Sequence, residues 1–125
     1  MKKIRDFSQF EIETVQDTIN ERFDKEVELQ VADSEVRLNP HSTELALCPT
    51  LYWRVDNCHF VIIKTDSNRY KPQFFYSVRE EYGTGVDDYS DIADSILALL
   101  QTQADHELKQ KNAVAEDKKT KSIGL

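Results

Sequence analysis

Apolar residues recur every three to four positions near the start of the chain and alternate with polar residues in its middle. Near the start, the spacing of Ile12, Val15, Ile19 and Phe23 predicts a helix with one apolar face. Ser8 and Glu11 occupy the positions of a capping box, in which each side chain accepts a hydrogen bond from the other residue's amide. The sequence therefore predicts a helix at about residues 9–24.

Short alternating patterns follow this helix and predict β-strands. They cover about residues 27–31, 36–38, 44–48 and 51–55. We expect a turn at residues 32–34. We also expect Pro49 to interrupt the last two patterns, because proline cannot donate a hydrogen bond in a central ladder.

Two hairpins can be assigned a register from the sequence. Asp56 and Asn57 separate two strand patterns and tolerate positive φ, which favours a tight turn. The register then pairs Val55 with Cys58, Trp53 with Phe60 and Leu51 with Ile62 on one apolar face, and Arg54 with His59, Tyr52 with Val61 and Thr50 with Ile63 on the other. In the next hairpin, a three-residue loop at 66–68, with Asn68 in the left-handed conformation, pairs Ile62 with Pro72, Phe60 with Phe74 and Cys58 with Tyr76.

A second apolar stripe predicts a helix near the end of the chain. Its members are Ile92, Ile96, Leu99 and Leu100. We expect Asp88 to cap this helix, Asp91 to lie in its first turn, and the helix to fade near residue 108. Residues 110–125 lack periodicity and predict a flexible polar tail.

The order of these elements predicts a fold class. A helix, an antiparallel meander of four to six strands and a second helix are typical of a two-layer α+β domain. We expect both helices to pack on the apolar face of the sheet, within a single domain at 1–109.

The charge distribution narrows the classes of partner. The chain carries a net charge of −7, and residues 1–109 contain 12 basic and 21 acidic residues, a balance of −9. An acidic body repels phosphate backbones, so we expect no nucleic-acid binding. No apolar run approaches the roughly 18 residues of a membrane span, and no apolar segment follows the N-terminal lysines as in a secretory signal. With only two cysteines, a cytoplasmic location is expected.

Cys58 and His59 raise the question of a reactive or metal-binding pair. Neighbours in a strand point to opposite faces, so one metal ion cannot readily bind both. A nucleophilic thiolate needs exposure and nearby positive charge, and a Cys58 that faces the core has neither. The sequence lacks the common nucleophile, P-loop, zinc-protease and EF-hand motifs. We therefore expect no enzyme activity, no cofactor and no metal centre.

Acidic residues before the last helix form a candidate cation site. They are Glu80, Glu81, Asp87, Asp88 and Asp91, whose oxygens suit a divalent cation. The alternative is that they cap the helix and solvate a loop. The order of an acidic helix, a meander containing a tryptophan and a last helix is similar in topology to the frataxin fold, although the spacing of Pro49 and Trp53 differs and glycine-rich hairpins are missing. That resemblance implies a second hypothesis, an acidic protein that binds divalent cations.

The sheet face opposite the predicted helices carries the leading functional hypothesis. It gathers aromatic, basic and apolar side chains of the kind enriched in protein interfaces. The members are Tyr52, Arg54, His59, Val61, Ile63 and Phe75. The alternative is that a third layer, such as the loop at 79–87 or the tail, covers them. We expect a non-enzymatic protein-binding module of inhibitor, immunity or chaperone type, acting through this face and the acidic first helix on a basic protein partner or a second copy.

Overall fold

The computed structural model describes the backbone of residues 2–123 and the side chains of residues 2–113. It has a six-stranded, mostly antiparallel sheet and two helices, one near each end of the chain. In chain order the elements are β1 (Lys2–Lys3), α1 (Gln9–Phe23), β2 (Gln30–Val36), β3 (Ala46–Val55), β4 (Cys58–Asp66), β5 (Arg69–Ser77), β6 (Glu80–Gly83) and α2 (Ile92–Ile123). The predicted two-layer α+β class is confirmed.

Both helices pack on the same face of the sheet, here called the inner face. Val15 and Ile19 of α1 and Ile96 and Leu99 of α2 are fully buried. They belong to one core cluster with the inward side chains of the central strands, among them Leu51, Trp53, Phe60, Ile62 and Phe74. Burial of these side chains, each contributing about 1.5–3 kcal/mol, accounts for the helix positions.

The start of α1 follows the sequence closely. The Glu11 amide donates to Ser8 Oγ at 3.1 Å, and the Ser8 amide donates to Glu11 Oε1 at 2.7 Å. The predicted capping box is therefore confirmed. The helix ends at Phe23, and its C-cap residue Asp24 adopts the left-handed conformation with φ 51°.

The predicted registers of the central hairpins are largely confirmed. All six pairs expected between β3 and β4 are present. Between β4 and β5, Phe60 pairs with Phe74 and Ile62 with Pro72 as expected. The predicted three-residue turn was wrong. The register shifts between Lys64 and Asp66, so Asp66 pairs with Arg69 across a two-residue loop. Asn68 has no positive φ, because the bulge takes up the extra residue.

Two predicted interruptions of the strands were also wrong. The expected turn at 32–34 lies inside β2, an edge strand that pairs along its whole length with β3. Pro49 lies inside the ten-residue β3 instead of dividing it. The mostly exposed side chains of β2 obscured its alternation.

Both strand prolines lie at gaps in the hydrogen-bond ladder. β2 pairs along one edge of β3, so β1 and β4 both pair along the opposite edge. On that opposite edge, pairing with β1 ends at Leu47 and pairing with β4 begins at Thr50, which leaves a gap between them. The Leu47 carbonyl accepts from Ile4 on that edge, so the amide position of Pro49 also points there, into the gap. The Tyr70 amide donates to Tyr89 at 2.9 Å, and β6 begins to pair at Gln73. Pro72 therefore faces the second gap.

The last helix begins later and ends later than expected. Asp91, not Asp88, caps it: Asp91 Oδ1 accepts from the amides of Ala93 at 2.7 Å and Asp94 at 3.3 Å. The helix continues past residue 108 to Ile123, through most of the segment predicted to be a tail. Gly124 and Leu125, the end of that predicted tail, lie outside the described residues.

Candidate functional site

The outer face of the sheet carries a row of stacked rings across three strands. Tyr52 of β3 stacks on His59 of β4 with ring centroids 5.9 Å apart, and His59 stacks on Phe75 of β5 at 4.9 Å. Tyr52 Oη and His59 Nδ1 lie 2.6 Å apart and share a hydrogen bond. All three side chains are half-buried. The pairings of His59 with Phe75 and of Tyr52 with Val61 hold this row in place.

Arg54 lies beside the ring row. It pairs with His59, is exposed, and its Nε donates to the Asp56 carbonyl at 2.8 Å. This contact holds the guanidinium close to the hairpin turn. The outer face therefore combines flat aromatic contact area with a positive charge on the neighbouring strand.

The other end of the outer face is covered. Ile63, half-buried, packs against a small second core cluster formed by Ile4, Ala46 and Cys48, to which Val36 also contributes. The cover therefore comes from the segment before α1 and from the end of β2, which sequence reasoning did not identify. Of the six predicted patch residues, the structure brings together Tyr52, Arg54, His59, Val61 and Phe75 on the open part and places Ile63 at its covered edge.

The acidic surface of α1 lies on the opposite side of the molecule. Glu13, Asp17 and Glu21 are exposed on a helix that packs against the inner face. A small partner that sits on the ring row therefore does not touch α1. The two surfaces that the sequence predicted to act in binding thus lie on opposite sides of the sheet.

The acidic residues before α2 have divided roles. Asp91 caps α2, and Asp88 Oδ1 lies 2.9 Å from Arg69 Nη1. Glu81 pairs with Phe75 along the β5–β6 ladder, two positions from Gly83. No group of three or more acidic, histidine or cysteine side chains is placed for metal binding within the part of the chain that the structure describes. These residues are thus not assembled into a cation site.

Cys58 and His59 lie on opposite faces, as the strand geometry predicts. Cys58 is 2% exposed in the inner core, and burial raises the pKa of its thiol to about 11. Cys48 is also a buried free thiol, but it belongs to the outer-face cluster. Burial raises the pKa of the Cys48 thiol as well. Neither thiol has the properties of a nucleophile.

A buried ion pair connects α1 to the central hairpin, and the sequence reasoning did not reveal it. Lys64 Nζ lies 2.8 Å from Glu11 Oε1 and donates to the Asp6 carbonyl at 3.1 Å. Tyr70 donates to the second oxygen of Glu11. Lys64 follows the same alternation as the inward residues of β4, and this position was the sequence signal that could have predicted its burial.

A second aromatic group lies at the inner side of β5 and β6. The Tyr82 ring is 4.4 Å from the His106 ring, and the Tyr76 ring is 5.6 Å from it. The buried Phe74 contacts all three rings. The strand pairing that places Tyr82 next to Phe74 could not be predicted from the sequence, because β6 is only four residues long.

Comparison with models of known protein families, with curated proteins and with solved structures found no match to this chain. No helix among the described residues is both long enough and apolar enough to cross a lipid bilayer.

Proposed function

We propose that the protein is a non-enzymatic binding module that engages a protein partner through the open part of its outer sheet face. The observation that carries this proposal is the half-buried row Tyr52–His59–Phe75, beside the exposed Arg54, on the face that neither helix covers. Aromatic and arginine side chains dominate the energetic centres of protein interfaces. Stacking and the Tyr52–His59 hydrogen bond hold the rings in place before binding, which reduces the entropy lost on association.

The charge of the molecule supports a basic partner. Residues 1–109 carry 12 basic and 21 acidic residues. Such a field attracts a positively charged protein over a distance of about one Debye length, roughly 8–10 Å at physiological salt. The ring row would then supply the short-range contact. Raising the salt concentration should slow association more than it speeds dissociation.

The test uses single substitutions in the ring row. Tyr52→Ala and Phe75→Ala should each weaken partner binding by about 2 kcal/mol or more, roughly 30-fold, while the protein stays folded. Binding is measured by affinity purification from the native cell, followed by titration with the identified partner. Circular dichroism and thermal unfolding check the fold of each variant.

Phe10→Ala is the matched control, because Phe10 is 72% exposed on α1, away from the ring row. It should leave binding unchanged. Partner binding that survives both ring-row substitutions would contradict the proposal. Light scattering separates the remaining outcome: if the ring-row variants lose only self-association, the partner is a second copy of this chain.

A further inference from the structure

A cleft beside the middle of α2 combines aromatic rings with carboxylates. Its volume is about 480 Å³, and its lining includes Tyr76, Tyr82 and His106 together with Glu80, Glu107 and Lys111. The three ring residues are half-buried, so part of each ring is accessible to a ligand. This cleft lies on the inner side of the sheet, and the ring row lies on the outer side. It is not used by the function proposed above.

The rings give the cleft a preference for cations. The face of an aromatic ring carries partial negative charge, and a cation above it is attracted electrostatically. Tyr76 and Tyr82 meet at 69° with ring centroids 6.5 Å apart, and His106 packs against both, so the three rings present differently oriented walls to the cleft. The buried Phe74 supports Tyr76 at 6.1 Å and Tyr82 at 5.2 Å from behind. The walls are therefore held in place without a ligand.

The charged residues add to this preference. Glu80 and Glu107 line the cleft against one lysine, Lys111. Tyr76 Oη lies 3.4 Å from Glu107 Oε1, which keeps that carboxylate next to a ring. A phosphate or carboxylate ligand would meet two like charges. A metal ion would lack a set of three ligating side chains in the described residues.

We propose that this cleft binds an organic ammonium cation, either a free alkylammonium or the end of a lysine side chain in another protein. The ammonium would lie against the rings of Tyr76 and Tyr82, and the carboxylates of Glu80 and Glu107 would balance its charge. Lys111 opposes the ligand electrostatically. The proposal is independent of the outer face and stands if the ring row binds nothing.

The first experiment titrates the full-length protein and follows amide and ring resonances by NMR. Choline is the free ammonium probe, and 3,3-dimethylbutan-1-ol, which has the same shape without the charge, is its control. A blocked pentapeptide with one central lysine tests the second source. Saturable shifts at residues 76, 82 and 106 with choline or with the peptide support the proposal, and the responding probe identifies the source.

Substitutions then test the roles of individual residues. Tyr82→Leu should weaken binding of the responding probe by about 3- to 30-fold, because it removes the ring. Tyr82→Phe keeps the ring face and should retain binding. Glu107→Gln should weaken binding, whereas Lys111→Gln should strengthen it because it removes a repelling charge. Glu81→Gln and Phe75→Leu alter the same strands on the outer face and should change nothing.

Three results would overturn the proposal. One is the absence of saturable resonance shifts with both ammonium probes at concentrations up to about 50 mM. Another is equal binding of the neutral alcohol, which would mean that the charge is not recognised. The third is a Lys111→Gln variant that binds more weakly. Thermal unfolding of Tyr82→Leu shows whether it folds, and Tyr82→Phe and Lys111→Gln test the proposal if it does not.

Discussion

At the level of single residues, Glu11 connects more structure than any sequence pattern indicated. Its carboxylate accepts hydrogen bonds from the Ser8 amide, from Lys64 and from Tyr70. Burial by itself raises the pKa of Glu11, but these hydrogen bonds and the charge of Lys64 outweigh it, so the net pKa lies below its usual value. The capping part of this role was predictable from a spacing of three residues. The rest was not, because Lys64 and Tyr70 are 53 and 59 positions away.

The Glu11–Lys64 pair should behave as a coupled unit in a double-mutant cycle. Lys64→Met leaves a buried carboxylate without its cation and should lower the free energy of unfolding by about 3–5 kcal/mol. Glu11→Gln, which can still serve the capping box, leaves the ammonium without its anion and should also be costly. The double variant should lose clearly less than the sum, because neither charge remains. Urea unfolding of the four proteins at pH 7 gives the coupling energy, and simple additivity would contradict the pairing.

The buried Cys58 thiol should make the fold sensitive to alkaline pH. Burial raises its pKa from 9.0 to about 11, so the thiol stays protonated in the folded protein at a pH where it ionises in the unfolded chain. The resulting contribution is complete below about pH 9 and is lost as the pH rises towards 11. It amounts to about 2–3 kcal/mol.

Cys58→Ala should reduce this alkaline loss while tyrosine ionisation continues to contribute in both proteins. The measurement compares the free energy of unfolding at pH 8 and pH 10.5 in the two proteins. An identical pH dependence would show that Cys58 is not the source. At neutral pH, Cys58→Ala should itself cost about 1–2 kcal/mol, because it leaves a small cavity in the core.

At the level of elements, the sequence predicted pairing better than strand ends. The register between β3 and β4 followed from a two-residue turn and from the placement of apolar residues on a single face. The predicted strand ends were wrong where a rule about the local effect of proline did not account for the positions of neighbouring strands. Pro49 and Pro72 are compatible with their strands only because neighbouring strands stop opposite them, and the sequence around each proline contains no sign of that.

The ladder gaps predict that the position of a proline matters more than its presence. Pro49 is fully buried, so Pro49→Ala removes packed ring atoms and adds an amide without a partner in the gap, and it should cost about 1–2 kcal/mol. Thr50→Pro removes an amide that faces β2 in the paired part of the ladder and should cost about 2–4 kcal/mol. Thr50→Ala separates the loss of the side-chain hydrogen bond to Ser34 from the backbone effect. Thermal and urea unfolding of the three variants provide the comparison, and equal costs for Pro49→Ala and Thr50→Pro would contradict the assigned gaps.

At the level of the whole molecule, the sheet separates two surfaces with different chemistry. The ring row and Arg54 lie on the outer face, while the acidic side chains of α1 and the aromatic cleft lie on the helix side. The alternation of side chains along the strands was enough to predict which face of the sheet carries the ring row. It could not show that Ile4 covers one end of that face, because a single apolar residue before α1 has no periodicity to reveal it.

The position of the two helices also has a consequence for synthesis of the chain. α1 is made before strands β2 to β6 and α2 after them, yet both helices pack on the same sheet face and on each other. At 5–20 residues per second, roughly two to eight seconds separate the end of β6 from the end of α2. During that time the nascent sheet has only half of its cover, so Trp53, Phe60 and Phe74 are accessible to chaperones. The domain can close only after its C-terminal helix has left the ribosome.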